Sequence, residues 1–402
     1  MRFVTSRPIA DYAMLSDCHS AALVSREGSI DWLCMPRFDS PSLCGRILDD
    51  HAGHWLLRPM DIVHVTRRYR ERTLVLETSF VTKRGLGRLV DVMAFGEGER
   101  DHQIGLSSPH LLLRELTCLE GSLDVEFELA PRPDYGAQVP DVQLGPEGAE
   151  FASGATRLVL SSDLPLAAQA GSLRGVLSMR AGETRCFALG SVTGLESSLT
   201  HLSPVQISHM IEDTTQGWLT WSGHHQNYEG PWSDLVHRSG CVMQGLTYRR
   251  TGAMVAAPTT SLPEEIGGVR NWDYRYSWLR DSSMTLRALW VAACPDEAGE
   301  YFRWIAETAE RDAALGLDLQ IVYGVGGERE LEERVLEGLR GWRDSGPVRI
   351  GNGAGGQLQI DVYGEILDAR SGDMGGSRSP EALRTLETHV LGRPGSGHRH
   401  GG

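Results

Sequence analysis

At 402 residues the chain exceeds what one hydrophobic core usually organises, and its 41% apolar content is that of a folded, soluble chain, so two domains are expected. A formal net charge of −14 works against attraction to nucleic acid or to an anionic membrane, and neither is expected as a partner. Seven scattered cysteines with no C-x-x-C pair suggest neither a disulfide framework nor a zinc site and read as reduced, buried thiols.

The N-terminal stretch lacks a secretory apolar core, and no run approaches the roughly 18 apolar residues of a membrane span, so the expected location is cytoplasmic. Residues 1–205 then show short β-type runs broken by turn residues. Leu123, Val125, Phe127 and Leu129 alternate with polar neighbours, the period of a strand with one buried face. An antiparallel β-sandwich is expected here.

The period changes near Pro204. Ile207, Met210, Ile211, Thr214, Trp218 and Leu219 fall on one helical stripe, so residues 206–229 read as a helical linker. Residues 230–369 keep the helical period: Trp232, Leu235, Val236, Val242, Met243 and Leu246 form one stripe, and Met284, Leu286, Leu289 and Trp290 another. A third runs through Tyr301, Phe302, Trp304, Ile305 and Ala309, and a fourth begins near Gln357. Strands followed by helices imply two segregated domains. Residues 370–402 are rich in Gly, Ser and Arg and read as a disordered tail holding one short apolar stripe at Leu383, Leu386 and Val390.

The stretch GVRNWDYRYSWLRDSS, Gly268 to Ser283, packs two Trp, two Tyr, three Arg and two Asp into sixteen residues and reads as a loop feeding a helix N-terminus. Flat aromatic faces, a forked guanidinium donor and a carboxylate acceptor are what recognise a sugar, and Trp272, Tyr274, Trp278, Arg280 and Asp281 supply all three. The competing reading is a buried Arg and Asp pair amid aromatic packing, with Asp281 as a helix N-cap. Spacing alone leaves both open.

That stretch, together with GPVRIGNGAGGQLQIDVYGEILDA at 346–369 and IADYAMLSDCHSAALVSREGSIDWLCMPRFDSPSLCGRIL near the start, resembles bacterial members of glycoside hydrolase family 15, the glucoamylase and trehalase-like enzymes. The resemblance covers about residues 5–369. It implies an N-terminal β-sandwich, a helical linker and an (α/α)6 barrel with its site in the barrel mouth. The implied activity is hydrolysis of terminal α-glucosidic bonds, in maltooligosaccharides or trehalose, with inversion and without a cofactor. It further implies that Tyr274, Trp278, Arg280 and Asp281 hold the terminal glucose, with Trp272 in the same motif. Arg349, Asn352, Gln357 and Asp361 belong to the second motif, where Arg349 and Asn352 are expected at the mouth; Asn352 and Gln357 could equally cap and pack.

Inversion needs one carboxylic acid and one carboxylate about 6.5–9.5 Å apart. The family's acid lies in a Trp-Glu context, and no Trp-Glu dipeptide occurs in the sequence, so neither catalytic glutamate can be assigned. Glu328, Glu330, Glu332 and Glu333, beside Arg329 and Arg334, read as a solvated helix face, and Glu365 as a wall residue. Five or six helices are expected between 230 and 369 where a full barrel needs twelve, so the barrel reads as incomplete and C-terminally truncated, with an exposed apolar face. An inactive homologue that keeps only glucose recognition is the alternative. The fourteen His form no metal-binding spacing, and the oligomeric state is open.

Overall fold

One strand, Leu111–Ala130, organises the first half of the chain. Leu123, Val125, Phe127 and Leu129 along it are buried, whereas Asp124, Glu126 and Glu128 between them are only partly so. Its first part pairs with Gly85–Met93 and Thr184–Val192, and its last part with His54–Pro59 and Ser172–Arg180. Gly121 marks the change of partners at φ +66, where a Cβ would lie 2.0 Å from the Arg84 carbonyl oxygen. Glycine therefore lets one strand pass from one layer to the other. The fifteen strands joined through it make the expected antiparallel sandwich, packed around Trp55, Phe80, Leu116, Phe127 and Phe187.

The structure, a computed structural model, describes residues 6–192, 201–224, 228–292 and 294–372. The tail from 373 onward lies outside them. No helix among the described residues is long and apolar enough to cross a membrane, and no group of His, Cys, Asp and Glu among them could hold a metal ion. All seven cysteines are buried and free; burial pushes the Cys34 thiol up to about 12, far from a reactive thiolate.

The second half is helical. Helix α1 (Pro204–His224) lays Ile207, Ile211, Trp218 and Trp221 into a core shared with Val92, Phe95 and Leu113 of the sandwich. Leu219, expected on that stripe, is 36% exposed, and Trp221 is buried instead. Helix α2 (Ser233–Gly245) forms where its pattern places it, but it is turned the other way. Trp232 and Leu235 are 64% and 62% exposed, and the buried positions are Gly240, Cys241, Gln244 and Gly245.

The reason is close approach. Gly245, whose added Cβ would lie 2.6 Å from Leu74, accepts a hydrogen bond from Ser16 Oγ at 2.6 Å, while Arg238 stacks on Tyr69 at 4.2 Å. Small and polar contacts to the sandwich thus fix the rotation of α2. Its apolar edge, Leu235, Val236 and Met243, faces Ala288 and Val291 of helix α3 (Ser282–Val291) across an open groove.

Helix α4 (Pro295–Ala314) opens with proline at its first position and Asp296 and Glu297 in its first turn, and it buries Tyr301, Phe302, Trp304, Ile305 and Ala309. Helix α5 (Asp361–Gly372) runs beside α3, with Arg287 Nη2 2.6 Å from Asp368 Oδ2 and Ser283 donating to Glu365. Four α-helices are described between 230 and 372, fewer than the five or six expected. The segment around Glu328–Glu333 is not a helix: it is extended and turn-like, and it leads into a strand Arg334–Val335 that pairs with Arg349–Ile350. Its glutamates are held across the fold by distant arginines, Glu328 by Arg37 at 2.9 Å and Glu333 by Arg349 at 3.2 Å, so helical spacing never forms.

Candidate functional site

The aromatic stretch is an extended segment, and its alternation builds the site. Ala256 and Ala257 N–H groups donate to the carbonyls of Tyr276 and Tyr274, Ser261 N–H donates to that of Trp272, and Ser277–Trp278 pairs with Val322–Tyr323. In such a backbone successive side chains point to opposite faces. Asn271, Asp273, Arg275, Ser277 and Leu279 turn inward and are buried. Trp272, Tyr274, Trp278 and Arg280 share the other face and line a cleft of about 450 Å³.

The opposite wall comes from Glu333 and from the turn after the strand Arg349–Ile350, which contributes Asn352, Gly353, Ala354, Gln357 and Gln359. Gly351 permits that turn. Its φ is +75, and a Cβ there would lie 1.9 Å from the Glu332 carbonyl oxygen.

Within the cleft the rings of Tyr274 and Trp278 lie 5.9 Å apart and tilted, and the Arg280 guanidinium sits 5.5 Å from the centre of the Trp278 ring. Arg280 Nη1 donates to Gln359 Oε1 at 3.3 Å, joining the two walls. Burial raises the pKa of the Tyr274 hydroxyl, which stays protonated and able to donate. Trp278 Nε1 is buried without a hydrogen-bond partner among the described residues.

Beneath the cleft lies the buried Arg and Asp pair of the competing reading, made by residues other than Arg280 and Asp281. Arg275 grips Asp273 with Nε–Oδ1 and Nη2–Oδ2 contacts of 2.8 and 2.6 Å, both side chains being almost fully buried. Burial alone lowers the pKa of Arg275, but Asp273 outweighs it and holds the guanidinium well above its ordinary range. Arg275 also donates to the Ser40 carbonyl and to the Tyr135 hydroxyl, both at 2.9 Å, so the sandwich anchors the loop. Asp273 in turn accepts from Gly351 N–H at 3.2 Å, and its carbonyl accepts from Asn352 Nδ2 at 3.0 Å. One buried pair thus carries both walls.

Of the residues singled out in the sequence, Trp272, Tyr274, Trp278, Arg280, Asn352 and Gln357 meet at the cleft. Arg349 stacks on Trp272 at 4.7 Å, and the Arg280 and Asp281 side chains are 3.8 Å apart. Asp281 occupies the N-cap position of α3, but its side chain makes no capping hydrogen bond and is 54% exposed. Asn352 caps the short turn Gly353–Gly356 by accepting from Ala354 N–H, so its amide is engaged within the protein on both sides. Sequence reasoning missed Glu333 and Gln359 as wall residues and Asp273 and Arg275 as the brace. The period-2 alternation of the stretch, read as a loop, was the available signal.

Residues 231–372 match the family model Glycosyl hydrolases family 15, and residues 4–164 match Trehalase-like, N-terminal. The chain is 37% identical to a trehalase of Mycolicibacterium smegmatis over 383 residues, covering 90% of this chain and 56% of that protein. It is 33% identical to a trehalase of Thermoplasma volcanium over 364 residues, covering 89% and 56%. A bacterial glucoamylase solved with acarbose superposes with a TM-score of 0.57 at 12% identity, over 97% of this chain and 59% of that one. That last likeness concerns the fold: a β domain followed by helices of an α/α barrel. In both halves the chain is thus similar to glycoside hydrolase family 15 and trehalase-like proteins. It spans a little over half the length of the curated relatives it matches.

Proposed function

We propose that the cleft holds the terminal glucose of an α-glucoside, trehalose or a maltooligosaccharide, and that the activity it serves is hydrolysis of that terminal bond with inversion. The observation that carries this is the wall itself: two tilted rings and a third aromatic beside a forked cation, all on one face of one segment. Rings cover the C–H faces of a pyranose, and guanidinium and amide groups meet its hydroxyls. The trehalase names of the relatives direct the choice of substrate toward trehalose.

A second reading, glucose recognition without hydrolysis, is favoured by one observation. Among the described residues lining the cleft, Glu333 is the one carboxylate, and inversion requires two. The test is glucose release from trehalose, maltose and maltotriose by the purified chain, with anomers followed by NMR and binding followed by calorimetry. Release of β-glucose supports hydrolysis; binding without release supports the second reading; neither binding nor release removes the sugar site altogether.

Asp281 is proposed as an acceptor for sugar hydroxyls beside Arg280. Because its side chain makes no capping hydrogen bond, Asp281→Asn should leave the melting temperature unchanged while weakening glucose binding about tenfold or more, the range of one hydrogen bond to a charged group. Unchanged affinity in a calorimetric titration would remove Asp281 from the site.

A further inference from the structure

Glu333 has no role in the family resemblance drawn from the sequence, yet it lines the cleft on the wall opposite the rings and is held there by two contacts. Its Oε1 lies 3.2 Å from Arg349 Nε and its Oε2 accepts from Gly353 N–H at 3.1 Å, while the side chain stays 30% exposed. A carboxylate has about four acceptor directions, and these contacts use two. The group is therefore fixed from behind with acceptor capacity left for a ligand.

Arg349, which fixes it, also stacks on Trp272 and donates to the carbonyl of Val269 at 2.9 Å. Acceptor and aromatic face are thus set by one guanidinium. Arg280 supplies donors within the same cleft. A ligand with adjacent neutral hydroxyls can give to Glu333 and accept from Arg280, whereas a phosphorylated sugar attracted by Arg280 would bring its charge against the carboxylate.

We infer that Glu333 is a specificity-determining residue that accepts a hydroxyl of the bound glucose and selects neutral α-glucosides over phosphorylated ones. This rests on the reading of the cleft as a glucose site. The carboxylate is placed as a hydroxyl acceptor and charge filter, and no bond-breaking step is assigned to it.

The test is calorimetric titration of wild type, Glu333→Gln and Glu333→Asp with glucose, trehalose, glucose 6-phosphate and the monodeoxyglucoses, with melting temperatures recorded for each variant. The expected result is a loss of neutral-sugar affinity of about 10- to 100-fold in Glu333→Gln, the range of one charged hydrogen bond. Glucose 6-phosphate should gain ground relative to glucose in that variant and not in Glu333→Asp, which keeps the charge. One deoxyglucose should bind wild type poorly and lose nothing more in Glu333→Gln, a coupling that a purely structural role would not produce. Should Glu333→Gln fail to fold, the charge filter is read from wild type and Glu333→Asp: glucose 6-phosphate binding either as well as glucose overturns the inference. Wild type that binds glucose, with Glu333→Gln binding it equally, overturns the inference and leaves the glucose site standing. Wild type that binds no glucoside overturns the glucose site, and the inference with it.

Discussion

Arg275→Ala should destabilise the protein by about 3–5 kcal/mol and abolish sugar binding, although Arg275 is not among the residues lining the cleft. The substitution leaves the Asp273 carboxylate buried with its main partner gone, and strips donors from the Ser40 carbonyl and the Tyr135 hydroxyl. Removing one member of a buried pair is far more damaging than replacing both, because the remaining charge is neither solvated nor compensated. The double replacement Asp273→Asn with Arg275→Met should accordingly recover a large part of the lost stability. Urea unfolding followed by circular dichroism measures both. A single variant as stable as wild type would show that the pair does not brace the loop.

Trp278→Ala should cost about 3–5 kcal/mol, the range for deleting a large buried aromatic, and remove measurable glucose binding. Trp278 is 9% exposed, packs against Tyr274 and Arg280, and belongs to the strand pair with Val322. Trp278→Phe keeps an aromatic face while removing the pyrrole part of the indole with its N–H. Because Trp278 Nε1 has no hydrogen-bond partner among the described residues, the cost should come from the lost ring volume, about 1–3 kcal/mol, less than in Trp278→Ala. If glucose binding survives in Trp278→Ala at wild-type strength, the aromatic wall is packing and nothing more.

The sequence revealed most where a residue's period decides its neighbours. Leu123 to Leu129 alternate because one face of that strand is buried, and the stripe of α4 and most of that of α1 lie inward for the same reason. It revealed least where a distant contact overrides local pattern. The stripe of α2 is genuinely apolar, yet the face that packs is chosen by Gly245 and by Arg238 on Tyr69, neither of which periodicity weighs. Glu328 to Glu333 look like a solvated helix until Arg37 and Arg349, far away in sequence, take two of them.

The site divides in the same way. Its aromatic members were legible as a composition, but Asp273 with Arg275 and Arg280 with Asp281 are the same chemistry a few residues apart. Burial alone separates brace from cleft. Glu333 could not be placed without the strand pairing of Arg334–Val335 with Arg349–Ile350, a register no local spacing encodes.

The bonds from Arg275 to Ser40 and Tyr135 have a consequence for how this molecule can be rebuilt. A chimera that joins these helices to the β half of a relative would import a foreign backbone carbonyl and a foreign phenol beneath its own cleft. The halves are consequently not interchangeable modules. Shape would have to be matched at two points in the donor's sandwich before any transplanted loop could keep its form.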